Sequence, residues 1–183
     1  MRQQKLTKMI NLFGGPGSGK STMAAGVFHH LKMCGWDCEL VTEYAKFITW
    51  EKNWTALQNQ LYITAKQIHR EFVVLGQVDA IITDSPILLG LMYYQESNAN
   101  IRDAYEKLVV ETFKTRNNIN IFVNRKKSYN TNGRNQSLEE SKDIDNKIKS
   151  LLTEHGIEFS EVPGTKTGTE DLAKLIENNL NCP

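Results

Sequence analysis

The chain has 183 residues, of which 40% are hydrophobic and 23% charged, and its formal net charge is +1. That length suits one domain with a sizeable core. The near-neutral balance excludes a protein that binds nucleic acid or anionic membrane over its whole surface, so any such affinity must come from a local patch. Three cysteines, Cys34, Cys38 and Cys182, include no Cys-x-x-Cys pair and read as free thiols in a reducing compartment. Together with His29 and His30 they lack paired zinc-ligand spacing, so no zinc site is expected. The first apolar run, 9–13, is too short for a signal segment or a membrane span. A cytoplasmic protein without a membrane partner is expected.

In chain order, "MINLF" (9–13) predicts a short buried strand, followed by a glycine-rich loop. A helix is predicted over 20–33, with Met23, Val27 and Leu31 on one face and Gly35 as its stop. "CELVT" (38–42) predicts a second strand. After Asn53, the spacing of Leu57, Leu61, Ile68, Phe72 and Leu75 predicts one long helix with an apolar stripe, ended by Gly76. "DAIIT" (79–83) predicts the third strand, and Pro86 opens a helix at its first turn. A helix over 101–114 and a strand over 119–123 follow. Residues 137–140 form a capping-box pattern before a helix with Ile144, Ile148, Leu151 and Leu152, stopped at Gly156. A last strand (157–162) and a helix capped by 167–170 and running through Leu180 complete the chain. Strand and helix in alternation predict a single α/β domain with a parallel sheet covered on both faces. Ligands then bind at the carboxyl ends of the strands.

Gly14-x-x-x-x-Gly19-Lys20-Ser21 is a phosphate-loop pattern in its required place, after a strand and opening a helix. The backbone from Gly14 through Gly15, Pro16, Gly17, Ser18 and Gly19 to Lys20, Ser21 and Thr22 would hold a nucleoside triphosphate. Lys20 would reach the β- and γ-phosphates and Ser21 would offer its hydroxyl to Mg²⁺. Asp84 ends the third strand in "IITDSP", where an acid either holds Mg²⁺ or merely caps the following helix. Ser85 and Pro86 stand where an ATPase motor carries a second acid, which argues against hydrolysis as the main reaction. Glu43 ends the second strand in "LVTEYAK". By position it is either an acid that orients or deprotonates an acceptor hydroxyl or a solvated strand-end acid beside Lys46.

The stretch 124–136 carries Arg125, Lys126, Lys127 and Arg134 and no acid. It reads as a flap over the transferred phosphoryl group, as a solvated loop, or as a nucleic-acid contact. Gln60, Thr64, Gln67 and Glu71 form a polar stripe on the long helix, with Trp50, Trp54 and Tyr62 nearby. That stripe either reads an acceptor or is the helix's solvent face.

Taken in order, "GGPGSGKS", "TEYAK", "NQLYITAKQ", "TDSP" and "RKKSYNTNGRNQ" make the chain resemble a P-loop kinase of the nucleoside and nucleotide kinase superfamily. It is most similar to bacteriophage ATP-binding proteins related to the ribosylnicotinamide kinase domain. The resemblance implies a three-layer α/β/α fold with five parallel strands ordered 2-3-1-4-5 and a lid at 125–136. It implies ATP and Mg²⁺ as cofactors, with 163–165 near the adenine and Glu43 as the acceptor-side carboxylate. Lys20, Glu43, Asp84, Arg125 and Arg134 become the catalytic set, and Ser21 and Asp84 the metal ligands. Ser85 replaces an arginine of the related kinases, so an acceptor monophosphate would need another cation, Arg70 or Arg102. Glu43, Gln60, Gln67 and Arg70 are the expected acceptor contacts. The implied partner is a nucleoside, a nucleotide, or a hydroxymethylated pyrimidine in DNA, and a homodimer is the expected assembly. The rival reading is an ATPase switch or assembly protein without a small-molecule acceptor.

Overall fold

The computed structural model describes residues 5–125 and 138–180, with 138, 140 and 141 as backbone only. Five strands form one parallel sheet: β1 (Lys8–Phe13), β2 (Cys38–Val41), β3 (Ala80–Thr83), β4 (Asn117–Asn124) and β5 (Ser160–Pro163). Their order is β2-β3-β1-β4-β5, as the resemblance implies. β1 is central, and its alternate side chains are buried on opposite faces. Ile10 and Leu12 pack with Met23, Val27 and Leu31 of α1 (Lys20–Met33), and with Leu172 and Ile176 of α7 (Lys166–Asn179). Phe13 packs on the other face with Val109 and Phe113 of α5 (Ala99–Lys114) and with Ile148 and Leu152 of α6 (Leu138–Glu154).

The predicted elements are present, with five differences of physical interest. β4 starts at Asn117, two residues before the predicted strand, because its asparagines have partners in the sheet. Buried Asn11 of β1 donates to the side-chain oxygens of Asn118 (2.9 Å) and Asn120 (3.0 Å). β5 starts late because Ile157 belongs to the stop of α6. Gly156 takes φ 64° and the Ile157 N–H returns to the Leu152 carbonyl at 2.8 Å, a glycine-led helix closure. After Pro86 the chain makes a 3₁₀ helix, Ile87–Met92, in place of an α-helix. α7 begins at Lys166, with the Thr165 hydroxyl accepting from the Gly168 N–H at 3.1 Å. The predicted capping residue Ser137 lies outside the described residues.

The long helix is the fifth and largest difference. A short helix not foreseen, α2 (Tyr44–Trp50), follows Glu43; then come α3 (Trp54–Leu57) and α4 (Gln60–Phe72). Asn53 and Asn59 each cap a new helix, accepting from the N–H of Ala56 (3.1 Å) and Tyr62 (3.0 Å). The predicted apolar stripe is not the buried one. Leu61 is exposed and Phe72 is 70% exposed, whereas Ile63, Thr64, Gln67 and Glu71 are buried. The polar stripe therefore faces the protein, and its members have partners there. Glu71 forms an ion pair with Arg116, both almost fully buried. The Thr64 and Tyr105 hydroxyls lie 2.7 Å apart. Among the described residues, no helix is long and apolar enough to cross a membrane.

Candidate functional site

The loop between β1 and α1 lies at the carboxyl end of the central strand. Gly14, Gly17 and Gly19 adopt φ of 135°, 77° and 107°, values at which a side chain would be strained. Gly19 is also the N-cap of α1. Among the described residues no side chain caps that terminus, and no acid lies in its first turn. Its N–H groups, at the positive end of the helix, therefore remain open to an anion. The Ser21 and Thr22 side chains stand exposed on that first turn.

Lys20 folds back over the loop, its Nζ donating to the carbonyls of Gly14 (2.6 Å) and Gly15 (3.1 Å). Burial pushes its pKa below the ordinary 10.5, and the charges of Glu43, Asp84 and Asp145 oppose that shift. Three carboxylates from three different elements thus converge on one lysine. Glu43 lies two residues past β2, at the N-cap of α2. Burial raises its pKa above 4.5, with Lys20 pulling the other way and Asp84 adding to the rise. Asp84 follows β3 and is buried, and its Oδ1 has no hydrogen-bond partner among the described residues. It caps no helix: Pro86 holds the N-cap of the 3₁₀ helix, without a side-chain bond. A buried carboxylate oxygen without a partner is a costly arrangement, and a cation bound there would relieve it.

The loop after β5 closes the other side. The Gly164 N–H donates to the Asn124 carbonyl at 2.8 Å, and a Cβ at Gly164 would collide with the Ser18 carbonyl oxygen. Residues 163–165 therefore lie directly against the phosphate-type loop. From there a cavity of about 560 Å³ runs between α1 and α7, lined by Gly19, Thr22, Gly26, Gly164, Thr165 and Thr169 among others.

The family model described as AAA domain, AAA_28, matches residues 9–171. The chain belongs to the AAA_28 family. Among solved structures, shikimate kinase from Aquifex aeolicus superposes with a TM-score of 0.53 at 13% identity, over 96% of this chain and 99% of that one. Shikimate kinase from Bacteroides thetaiotaomicron gives a TM-score of 0.49 at 10% identity, over 94% and 97%. At 13% identity the likeness to the Aquifex aeolicus enzyme is one of fold, the P-loop kinase fold. No curated protein matches the sequence.

In this AAA_28 chain, Arg125 stands where the lid was expected to start, and its guanidinium grips the loop. Its Nη1 donates to the Pro16 carbonyl (2.7 Å) and its Nη2 to Asp145 Oδ2 (3.2 Å). Asp145 Oδ1 in turn accepts from the Gly15 N–H at 2.5 Å. Arg125 is thus a brace on the loop backbone in this state, and Asp145 of α6 is the residue that sequence reasoning missed. Nothing in "LEESKDIDNK" distinguishes it from Asp143. Lys126, Lys127, Arg134 and the rest of the expected lid lie outside the described residues. Asp145→Ala removes a charge-assisted pair of bonds and should lower stability by about 1.5–3 kcal/mol, read as a drop in urea midpoint at constant m-value.

On the acceptor side the structure gathers three of the four expected residues around one segment. Gln67 Oε1 accepts from the Tyr44 N–H (3.0 Å), which fixes its amide and leaves Nε2, a buried donor, without a partner among the described residues. Arg70 donates to the Thr42 carbonyl (3.2 Å), and its guanidinium lies 5.0 Å from the Tyr44 ring centroid. Both therefore brace the turn that carries Glu43. Gln60 is elsewhere, bonded to Thr64 at 3.2 Å beside Gly90. Arg102 is half-exposed and its charged neighbour is Asp103, on its own helix.

Proposed function

We propose that the protein is an ATP- and Mg²⁺-dependent kinase that transfers the γ-phosphoryl group to a hydroxyl of a nucleoside- or nucleotide-like acceptor, in a cytoplasmic setting. The observation that carries this reading is the convergence of Glu43 and Asp84, from the ends of β2 and β3, on Lys20. The open first turn of α1 and Lys20 suit the triphosphate. The Ser21 hydroxyl and the unpaired Asp84 carboxylate suit Mg²⁺, which would supply charge neutralisation across the β- and γ-phosphates. Glu43 accepts the acceptor's hydroxyl proton as its oxygen bonds to the γ-phosphorus and the bond to ADP breaks. Its raised pKa suits that task, because a buried carboxylate is a stronger base than a solvated one. Gln67 Nε2 offers a donor to the acceptor, and the cations Arg125 and Arg134 offset the charge on the transferring phosphoryl group. The adenine lies at the mouth of the α1–α7 groove, beside 163–165. Kinship with the phage kinases related to the ribosylnicotinamide kinase domain is part of this proposal.

A DNA-borne hydroxymethylated pyrimidine is the second reading, favoured by one surface. Trp50, Trp54, Phe47 and Tyr62 are exposed on α2–α4, with Arg70 6.0 Å from the Phe47 ring and Lys66 5.5 Å from the Tyr62 ring. Exposed rings interleaved with cations suit stacking on single-stranded bases.

Glu43→Gln tests the assignment. Transfer should fall by roughly 10²–10⁴-fold, with the affinity for a fluorescent ATP analogue unchanged. The same variant should be no less stable than wild type at pH 7. A folded pKa above 4.5 means stability from this group is full below 4.5 and lost as pH rises through the raised value, and glutamine removes that loss. The acid limb of the wild-type rate should accordingly lie above the ordinary glutamate value. A Glu43→Gln enzyme with wild-type turnover excludes Glu43 as the base.

A further inference from the structure

Cys34, which the sequence left without a role, stands beside two other donor side chains at the far end of α1 from the loop. It is the C-cap of α1, one turn beyond His30 and on the same face. Glu177, in the last turn of α7, completes the group. His30 Nε2 lies 2.9 Å from Glu177 Oε2 and 3.7 Å from Cys34 Sγ, and the three donor atoms all fall within 4.8 Å of one another. We propose that His30, Cys34 and Glu177 form a binding site for a zinc-class divalent cation, closing the α1–α7 pair with three protein ligands and one water.

The donor separations suit the ion. Tetrahedral zinc with bonds of about 2.0–2.3 Å holds its ligand atoms about 3.3–3.7 Å apart, so the sulfur is in place and the carboxylate needs to open by a few tenths of an ångström. The donor set is soft sulfur, imidazole and carboxylate, which selects zinc-like metals over Mg²⁺ or Ca²⁺. Charge also balances, since one thiolate and one carboxylate neutralise a divalent ion. The field agrees: both helices present their carboxyl-terminal turns here, and the negative ends of two helix dipoles attract a cation. The ligands come from α1 and from a helix some 140 residues later, which is why no ligand spacing was visible in the sequence.

The site is independent of the kinase reading. Ten residues of α1, about 15 Å of helix, separate its nearest ligand, His30, from Lys20 at the start of the helix. The test therefore uses metal binding and not turnover. Titrated with Co²⁺ under reducing conditions, the full chain should bind one ion with a thiolate-to-cobalt charge-transfer band in the near ultraviolet. Zn²⁺ should displace it and raise the melting temperature. Cys34→Ser should abolish the band, while Cys182→Ser retains it. His30→Gln and Glu177→Gln should each weaken Zn²⁺ binding by at least roughly tenfold, the loss seen when even an outer partner of a metal site is removed. Absence of the band in the wild type, its survival in Cys34→Ser, or unchanged Zn²⁺ affinity in Glu177→Gln overturns the proposal.

Discussion

Lys20→Ala should lower phosphoryl transfer by roughly 10³-fold or more, while its melting temperature stays at or above that of the wild type. The two halves of this result have different causes. A lysine reaching the β- and γ-phosphates neutralises charge that spreads over the transferred group. Removal of one such preorganised donor costs roughly 10²–10³ in rate, and Lys20 adds a full charge. The stability half follows from burial. Desolvation holds Lys20 below the ordinary 10.5, so the unfolded chain binds this proton more tightly than the folded one. Stability from this group therefore rises with pH between the lowered value and 10.5, and the burial cost is full below the lowered value. Alanine removes that cost together with two bonds to loop carbonyls. A residue whose loss destroys activity without destabilising the fold is placed for function. A variant with near-normal turnover would remove the loop from the mechanism.

Glu71→Ala should have the largest effect on stability, about 3–5 kcal/mol, or roughly 6–20 °C in melting temperature for a chain of this length. Its partner Arg116 is buried with it, and desolvation already pulls the guanidinium down to about 10. Without the carboxylate, Arg116 is left as an unpaired cation in the interior. The pair itself is not expected to be strongly stabilising. Glu71→Met combined with Arg116→Met should recover most of the loss, because apolar replacement of a buried ion pair is often neutral or better. Equal destabilisation of the single and double variants would show that packing, and not the stranded charge, sets the cost.

That ion pair also marks the limit of what could be read from the chain. The parallel sheet, the loop and the strand-end acids Glu43 and Asp84 were legible, because each depends on a short local pattern followed by a strand end. The buried face of α4 was not. Leu61 and Phe72 keep helical spacing yet face solvent, while Gln67 and Glu71 are buried. The partners that make burial of polar groups tolerable, Tyr105 and Arg116, come from α5 and the turn after it, and no local period reports them. The split of the long helix was legible in principle, since Asn53 and Asn59 are both good N-cap residues. Asparagines in β4 misled for the opposite reason: their low strand propensity is overridden by the side-chain bonds to Asn11. Asp145 was hidden because its importance rests wholly on Arg125 and the Gly15 N–H.

In the proposed kinase, the phosphoryl group held over Lys20 moves to an organic hydroxyl and not to water. The most direct measurement follows γ-labelled ATP with Mg²⁺, alone and with pooled nucleosides, nucleotides, and DNA with and without hydroxymethylated pyrimidines. Label is expected on an organic product in one of these pools, dependent on Glu43, with little free phosphate in their absence. Label released only as free phosphate, at a rate that no pool alters, would contradict it and make the protein an ATP-driven switch.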